Sequence, residues 1–387
     1  MTMHVQHGYG QGDRIAALAD HSVVHSVILS PTDQGPRKLL ETSIDCQDRG
    51  LSVLLDPQSY IYAPDIGAVA RNHEENDLEF IGMNWSQPPT STMDMIARVG
   101  LLNDAIGGSI RIAPSPLQSS FADVWTPLSI QLARAGSDAW GREKTIATLA
   151  IEESAFSDRA QVDAWLDVAT TLEVRGFYLL VQRSNTSYPP VPWAAETLAN
   201  VMSAIYVLTE LNDYEVHWGY SDLEGLLGLA AGATAIATGW SHGLRQFSTS
   251  KWVPRTGGRQ PAMRYPMRSI MSVPAAEAEA AQMFQTVLQE DLFDPAEVRL
   301  RSAEGFDGMN LREYHVRYLT WLADMVAELH GRSTPNSLTQ LHRMLDSAVS
   351  ILERPEITRA VALPPSYAGR LRNQRSAIEA FRDREGV

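Results

Sequence analysis

The sequence predicts an α/β fold of the (β/α)8, TIM-like barrel class with a helical C-terminal region. Short apolar runs alternate with longer segments whose apolar residues recur at helical spacing, which indicates parallel strands joined by helical crossovers. The runs VVHSVIL, LSVLL and TIATLAI are apolar nearly throughout, as is typical of strands covered on both faces. No glycine-rich fingerprint follows the first predicted strand, so we favour a closed barrel over a doubly wound open sheet.

The alternation defines the elements in order. Strands are predicted at residues 23–29, 51–55, 110–113, 145–151, 177–181, 215–218 and 234–238. Helices are predicted between them at residues 37–48, 93–105, 130–139, 161–173, 195–211 and 223–231. An eight-stranded barrel needs one more strand, for which residues 78–83 and residues 268–273 are the two candidates.

The chain divides into three parts on this pattern. Residues 1–20 are polar and glycine-rich and are expected to form a flexible lead-in, and residues 21–274 are expected to form the barrel. Residues 275–387 show helical spacing at 275–292, 311–330, 337–352 and 367–383 without strands between, which predicts the helical C-terminal region.

Composition restricts the function classes. The single cysteine, Cys46, excludes a disulfide framework within the chain and a multi-cysteine zinc site, and it fits a reducing compartment. The first residues lack a basic stretch followed by an apolar run, and no apolar stretch is long enough to span a bilayer, so we expect a cytoplasmic protein without a membrane partner. No motif indicates a metal or a cofactor, and none is expected. The net charge of -14 disfavours polyanionic partners unless basic residues cluster locally.

Acidic and histidine side chains follow several predicted strands, where barrels carry their chemistry. Asp56 ends the second strand, Glu152 and Glu153 end the fourth, and His217 lies in the sixth. Two carboxylates at one mouth would suit acid–base or nucleophilic chemistry on a sugar, so these four are the candidate catalytic residues. The structural alternatives are a turn at Asp56, a helix cap at one glutamate, and a hydrogen-bonded core position for His217.

The segment 241–268 is basic within an acidic chain. It contains no acidic residue, and three aromatic side chains (Phe247, Trp252 and Tyr265) are interleaved among its cations: Arg245, Lys251, Arg255, Arg259, Arg264 and Arg268. Paired guanidinium groups bind phosphate, so we predict an anion-binding loop that follows the last barrel strand. The candidate binding residues are Arg183, Trp240, His242, Arg245, Lys251, Arg255 and Arg259. The alternative is a loop that pairs with carboxylates of the same protein.

Three stretches carry a family resemblance. The run HWGYSDLEGLLGLAAGATAIATGW followed by an arginine resembles the last strand–helix–strand unit of the tRNA-guanine transglycosylase superfamily, as do the later helical runs REYHVRYLTWLADMVAEL and LTQLHRMLDSAVSIL. The phrase LLDPQSY lies near the position of that family's early catalytic aspartate, which would be Asp56 here. The resemblance implies a barrel enzyme that exchanges a nucleobase through a covalent sugar–enzyme intermediate. It implies a zinc-free relative, because there is one cysteine, and Thr238 is the residue that the late strand offers where the family has its nucleophilic aspartate.

Together these observations predict a barrel enzyme acting on a nucleotide, nucleic-acid or phosphorylated-sugar substrate, with glycosyl-bond chemistry as the most specific form. One alternative is a non-catalytic barrel subunit of a larger assembly, which binds a partner or nucleic acid through the basic loop. Another is a glycoside hydrolase with two carboxylates, although neutral sugars would leave the arginine cluster unexplained. The deciding observation is whether Asp56, Glu152, His217 and Arg245 converge at the barrel mouth.

Overall fold

The computed structural model describes residues 1–10, 13–62, 71–78, 92–185, 187–253, 262–306 and 309–387. The strands, numbered in chain order, are β1 Thr2–Gln6, β2 Val24–Leu29, β3 Ser52–Leu55, β4 Arg111–Ile112, β5 Leu117–Gln118, β6 Thr145–Glu152, β7 Gly176–Gln182, β8 Glu215–Trp218 and β9 Ala235–Thr238. They form one sheet in the order β3-β2-β1-β9-β8-β7-β6-β4, with β5 paired to β6 further along.

All of these strand pairs are parallel, and the sheet curls into a nearly closed barrel. Its two edge strands, β3 and β4, approach each other and complete the ring of eight. The predicted barrel is therefore confirmed. Seven of its strands lie where apolar runs predicted them, with boundaries that differ by at most one residue at either end.

The remaining strand is β1, which corrects two expectations. Thr2–Gln6 lies in the stretch expected to be a flexible lead-in, yet it pairs with β2 on one side and β9 on the other. His4 and Gln6 alternate with buried Met3 and Val5, and this polar alternation hid the strand from a search for continuous apolar runs. Of the two candidates for the eighth strand, residues 268–273 form a turn closed by a bridge between Met267 and Ser272, and residues 79–83 of the other lie outside the described residues.

Helices cover the outside of the barrel. In chain order they are α1 Asp13–Ala16, α2 Pro36–Asp48, α3 Arg71–Glu75, α4 Thr92–Ala105, α5 Thr126–Trp140, α6 Arg159–Ala169, α7 Ala195–Thr209, α8 Glu224–Ala230, α9 Ala281–Phe284, α10 Gln289–Leu292, α11 Pro295–Glu304, α12 Leu311–Leu329, α13 Thr334–Leu352, α14 Pro355–Ala360 and α15 Ser366–Glu385. Short 3-10 turns follow several strands, and a π-helical turn, Ala276–Ala280, precedes α9. No helix within the described ranges is both long and apolar enough to cross a membrane.

The C-terminal helices pack directly on the barrel. Helix α12 contacts β1 and α8, α13 contacts α8, and α15 contacts α7. A capping box between Asn310 and Glu313 starts α12, and its buried face, which includes Leu319, Leu322 and Val326, joins the hydrophobic core of the barrel. The first turns of α12 lie close to the segment that follows β9, and residues of both line one cavity.

Candidate functional site

Asp56 follows β3 and lies in a cage of hydroxyl groups inside the barrel. Its Oδ2 accepts hydrogen bonds from the hydroxyls of Tyr60 at 2.7 Å, Tyr178 at 3.3 Å and Tyr220 at 3.5 Å. Its Oδ1 accepts from the backbone N–H of Gln58 at 3.1 Å. Burial raises the pKa of Asp56 to about 6, although these hydrogen bonds act in the opposite direction. The carboxyl group can therefore gain or release a proton close to neutral pH.

An aromatic roof covers this cage. Phe247 and Trp252, from the segment after β9, pack against Tyr60 with ring centroids 4.9 Å and 5.6 Å away. The carbonyl of Phe247 accepts a hydrogen bond from the backbone N–H of Arg183, which ties the roof to the end of β7. Asp56 has no solvent-exposed surface beneath it. Sequence reasoning predicted the position of Asp56 at the strand end but neither the cage nor the roof.

The two candidate glutamates form hydrogen bonds with residues other than Asp56. Glu153 accepts a short hydrogen bond from Arg183 Nε at 2.6 Å, and the Arg183 guanidinium lies over the Trp193 ring, 4.3 Å from its centroid. Glu152 is half-buried at the end of β6, in register with Gln182 of β7. Among the described residues, no hydrogen bond or ion pair connects Asp56 with either glutamate.

His217 lies deeper in the barrel than expected. It is in register with Tyr178, the third residue of β7, and its Nδ1 lies 2.8 Å from His4 Nε2. Its Nε2 lies 3.3 Å from the Glu215 carboxylate, and the two imidazole rings stack with centroids 5.0 Å apart. The expected place of His217 at the mouth is wrong, because the short strand β8 sets it level with the lower part of β7. It occupies the hydrogen-bonded core position that was the structural alternative.

The basic segment after β9 is largely paired within the protein. Arg245 is buried and donates to the carbonyls of Gly239 at 3.1 Å and Trp240 at 2.7 Å and to the Tyr188 hydroxyl at 3.2 Å. Its other described cations contact carboxylates of the same chain: Lys251 pairs with Asp33 at 2.8 Å, Arg264 with Glu279 at 3.8 Å, and Arg268 with Glu328. These three ion pairs correspond to the alternative interpretation, a loop that pairs with carboxylates of the same protein. Arg255 and Arg259 lie outside the described residues.

A cavity of about 680 Å³ nevertheless opens between this segment and the first turns of α12; we call it the outer cavity. Its described lining comprises Tyr188, Trp240, Ser241, His242, Gly243, Arg245, Gln246, Ser248, Ser250, Lys251, Ala262, Met263, Arg264, Leu311, Tyr314 and His315. The described lining thus contains three cationic side chains and two histidines, and it contains no aspartate or glutamate.

Arginine charges act on both histidines of the outer cavity. Burial lowers the pKa of His242 to about 3, and the charges of Arg245 and Arg264 lower it further. Burial likewise lowers the pKa of His315 to about 4, with Arg245 and Arg14 as the next causes. Both imidazoles are therefore neutral at pH 7, and two arginines act on each of them, with the charge of Asp13 opposing at His315.

His7, directly after β1, is a candidate that the sequence reasoning missed. Its side chain is buried, its edge packs against Trp240 with centroids 5.1 Å apart, and neither ring nitrogen has a hydrogen-bond partner among the described residues. Burial lowers the pKa of His7 to about 4, and the charges of Lys38 and Lys251 lower it further. The signal was present as a histidine at a strand end, but the strand itself went unrecognised.

Within the described ranges, no three His, Cys, Asp or Glu side chains converge as metal ligands would. No family model matches the chain, and no curated protein matches it.

Solved structures do resemble the chain at low similarity. Dihydrodipicolinate synthase from Bacillus clausii has 11% identity over 100% of this chain and 98% of that chain, with a TM-score of 0.35. The same enzyme from Oceanobacillus iheyensis has 11% identity over 100% of this chain and 95% of its own, also with a TM-score of 0.35. A D-psicose 3-epimerase has 9% identity over 56% of this chain and 84% of its own, with a TM-score of 0.29. None of them assigns a function to this chain.

The expected likeness to tRNA-guanine transglycosylases is wrong. The structural neighbours are synthase and epimerase barrels, and no family model supports the expected family. Thr238, at the place of that family's nucleophile, is fully buried, with its hydroxyl 3.5 Å from that of Tyr318.

Proposed function

We propose that the chain is a barrel protein that binds a small organic anion, a phosphorylated sugar or a nucleotide, in the outer cavity. The observation that carries this proposal is the lining of the cavity: Arg245, Lys251 and Arg264 border it, while its described wall has no carboxylate. A cavity of about 680 Å³ is in the size range of small-molecule sites, roughly 300–1,000 Å³, and exceeds the needs of an inorganic ion.

Arg245 has the donors to hold such a ligand. Its contacts with the described residues use three N–H groups, and a guanidinium has about five, so two remain for an oxygen-rich group. The three tethers keep the group in one orientation, and its burial places the charge where screening by water is weak. An extended nucleic acid would also meet the rest of a chain with net charge -14, so a small anion is the better-supported ligand.

Isothermal titration with ribose 5-phosphate, sulfate and neutral ribose tests the proposal. Ribose 5-phosphate and sulfate should bind and ribose should not. Lys251→Gln should weaken anion binding by about tenfold, as expected when a hydrogen bond from a charged group is lost. Lys144→Gln is the matched control, because it removes the same charge from the turn before β6, at the opposite end of the barrel.

Because Lys251→Gln leaves Asp33 without its partner, the double variant Asp33→Asn, Lys251→Gln provides a second measurement at unchanged net charge. Equal affinity for ribose and ribose 5-phosphate would contradict the proposal. So would equal effects of the Lys251 and Lys144 substitutions.

A second candidate function is proton-transfer catalysis through Asp56. The observation that favours it is the caged carboxyl group with a pKa of about 6, close to the pH at which a general base is effective. Lys251 links the two sites: it lines the outer cavity, and its Nζ lies 5.8 Å from the centroid of Tyr220, one of the cage residues. For a ligand to touch Asp56, the roof formed by Phe247 and Trp252 has to open.

Asp56→Asn separates catalysis from binding. If Asp56 transfers a proton, this variant loses turnover of the bound compound and keeps its affinity. If the ligand binds and neither protein turns it over, the non-catalytic barrel subunit becomes the better description.

A further inference from the structure

Resting on the proposed function, we propose that Asp222 is a positioning residue for the anion site: through Tyr188 and Tyr318 it orients the Arg245 guanidinium in the wall of the outer cavity. Asp222 lies just beyond β8 and is buried, and it does not line the cavity. Tyr318 belongs to α12, so the C-terminal helices form part of the binding site rather than only packing on the barrel.

Tyr188 forms the first link. Its hydroxyl accepts a hydrogen bond from Arg245 Nη1 at 3.2 Å and donates one to Asp222 Oδ2 at 3.3 Å. Burial, followed by the charge of Asp222, raises the pKa of Tyr188 to about 12, so the hydroxyl stays protonated and keeps both roles. Donation to a carboxylate polarises the hydroxyl oxygen and makes it a better acceptor for the guanidinium.

Tyr318 forms the second link. The Arg245 guanidinium carbon lies 3.2 Å from the centroid of the Tyr318 ring, and the Tyr318 hydroxyl donates to Asp222 Oδ1 at 2.6 Å. A cation over an aromatic face is attracted by the electron density of the ring, which the short hydrogen bond to a carboxylate increases. Asp222 thus acts on Arg245 through both of its oxygens, one for each tyrosine.

Arg370 of α15 pairs with Asp222 and Glu224. Its Nη2 donates to Asp222 Oδ2 at 3.1 Å, and the same guanidinium pairs with the Glu224 carboxylate. The two buried carboxylates, Asp222 and Glu224, therefore lie close to two buried guanidinium groups, Arg370 and Arg245. The positive and negative charges in this part of the core balance. Asp222, Tyr318 of α12 and Arg370 of α15 thus support the cavity wall without lining it.

Tyr188→Phe and Tyr318→Phe test this role, with sulfate as the probe ligand. Each keeps the ring and removes one hydroxyl. Tyr188→Phe should weaken sulfate binding by about tenfold, the loss expected for one hydrogen bond to a charged group, and Tyr318→Phe should weaken it in the same direction. Tyr214→Phe is the matched control, because it removes a tyrosine hydroxyl that does not contact Arg245 or Asp222. Tyr214 directly precedes β8, and its hydroxyl donates to the carbonyls of Thr170 and Leu172. It should lower stability without changing sulfate affinity.

A double-mutant cycle separates positioning from a general loss of structure. In an Arg245→Met background, Tyr188→Phe should have no further effect on sulfate affinity, because the group that it positions is gone. Urea unfolding of each variant reports stability independently. If Tyr188→Phe does not fold, Tyr318→Phe takes its place in the cycle.

The outcomes are distinguishable. Failure of the unaltered protein to bind sulfate or ribose 5-phosphate overturns the proposed function and this inference with it. Sulfate binding that is unchanged in both tyrosine variants overturns the positioning role alone. So does an equal loss of affinity with and without Arg245.

Discussion

Replacing Asp56 by asparagine should stabilise the protein near neutral pH, and the size of the effect follows from its environment. The carboxyl group is fully buried, and its pKa is about 6 in the folded chain, compared with 3.8 for an aspartate in its ordinary, unburied surroundings. Between these values the unfolded chain has lost the proton while the folded chain still holds it. Folding stability therefore falls as pH rises through this window.

The gap of about two pKa units corresponds to about 3 kcal/mol at 1.36 kcal/mol per unit. An asparagine side chain has the same shape and no charge, so the variant does not incur this cost above pH 6. The amide can donate to the tyrosine oxygens that now donate to the carboxylate, since a hydroxyl can act in either role. The variant should match the natural protein at pH 4 and exceed its stability by about 3 kcal/mol at pH 7.

Urea unfolding at pH 4, 5, 6 and 7, followed by tryptophan fluorescence, measures this difference. All other titratable groups are the same in the two proteins. The difference between their free energies of unfolding at each pH therefore reports on position 56 alone. Asp167→Asn, at an exposed position of α6, is the control and should show no pH-dependent difference. A difference that is constant with pH, or that favours the aspartate at pH 7, would refute the reasoning and indicate that the tyrosine hydroxyls stabilise the charged form.

Three further predictions concern the outer cavity, the buried ion pairs and the first strand. Sulfate affinity should rise by about tenfold between pH 7 and pH 5, because a bound dianion raises the lowered pKa values of His242 and His315, so that protons are taken up when sulfate binds. Calorimetry in buffers of different ionisation enthalpy measures this proton uptake. Sulfate binding without proton uptake would contradict the prediction. Arg370→Ala should lower the free energy of unfolding by about 3–5 kcal/mol, because it leaves the buried Asp222 and Glu224 carboxylates unpaired; a urea-unfolding loss below about 1 kcal/mol would mean that water reaches them. Deleting residues 1–8 should abolish cooperative unfolding, because β1 hydrogen-bonds to strands on both sides; a truncated chain that keeps a sharp thermal transition would show that the barrel closes without it.

Much of the fold was predictable because continuous apolar runs mark strands that are covered on both faces. The strand predicted at 215–218 matches β8, and the predicted helix at 311–330 matches α12 to within one residue. Strand β1 was not predicted, because its inward side chains, His4 and Gln6, are polar. A strand whose lumen-facing residues form hydrogen bonds does not have the composition of a buried strand.

The site was predictable only in part. Asp56 was identified from its position after a strand, but its tyrosine partners come from β7 and from the residues after β3 and β8, and their meeting depends on barrel closure. The basic segment was visible in composition, but Lys251 pairs with Asp33, 218 residues away along the chain. Composition shows how many charges a segment carries and does not show which carboxylates reach it.

The order of apolar and polar residues along this chain determined a barrel followed by helices, because hydrophobic periodicity is a local property that each segment expresses by itself. Only the tertiary structure decided that Asp56 is caged, that His217 lies in the core, and that the described cations after β9 line a cavity whose described wall has no carboxylate. Those outcomes depend on distances between residues far apart in sequence, and such distances exist only once the strands have closed into a ring and α12 has packed beside β1.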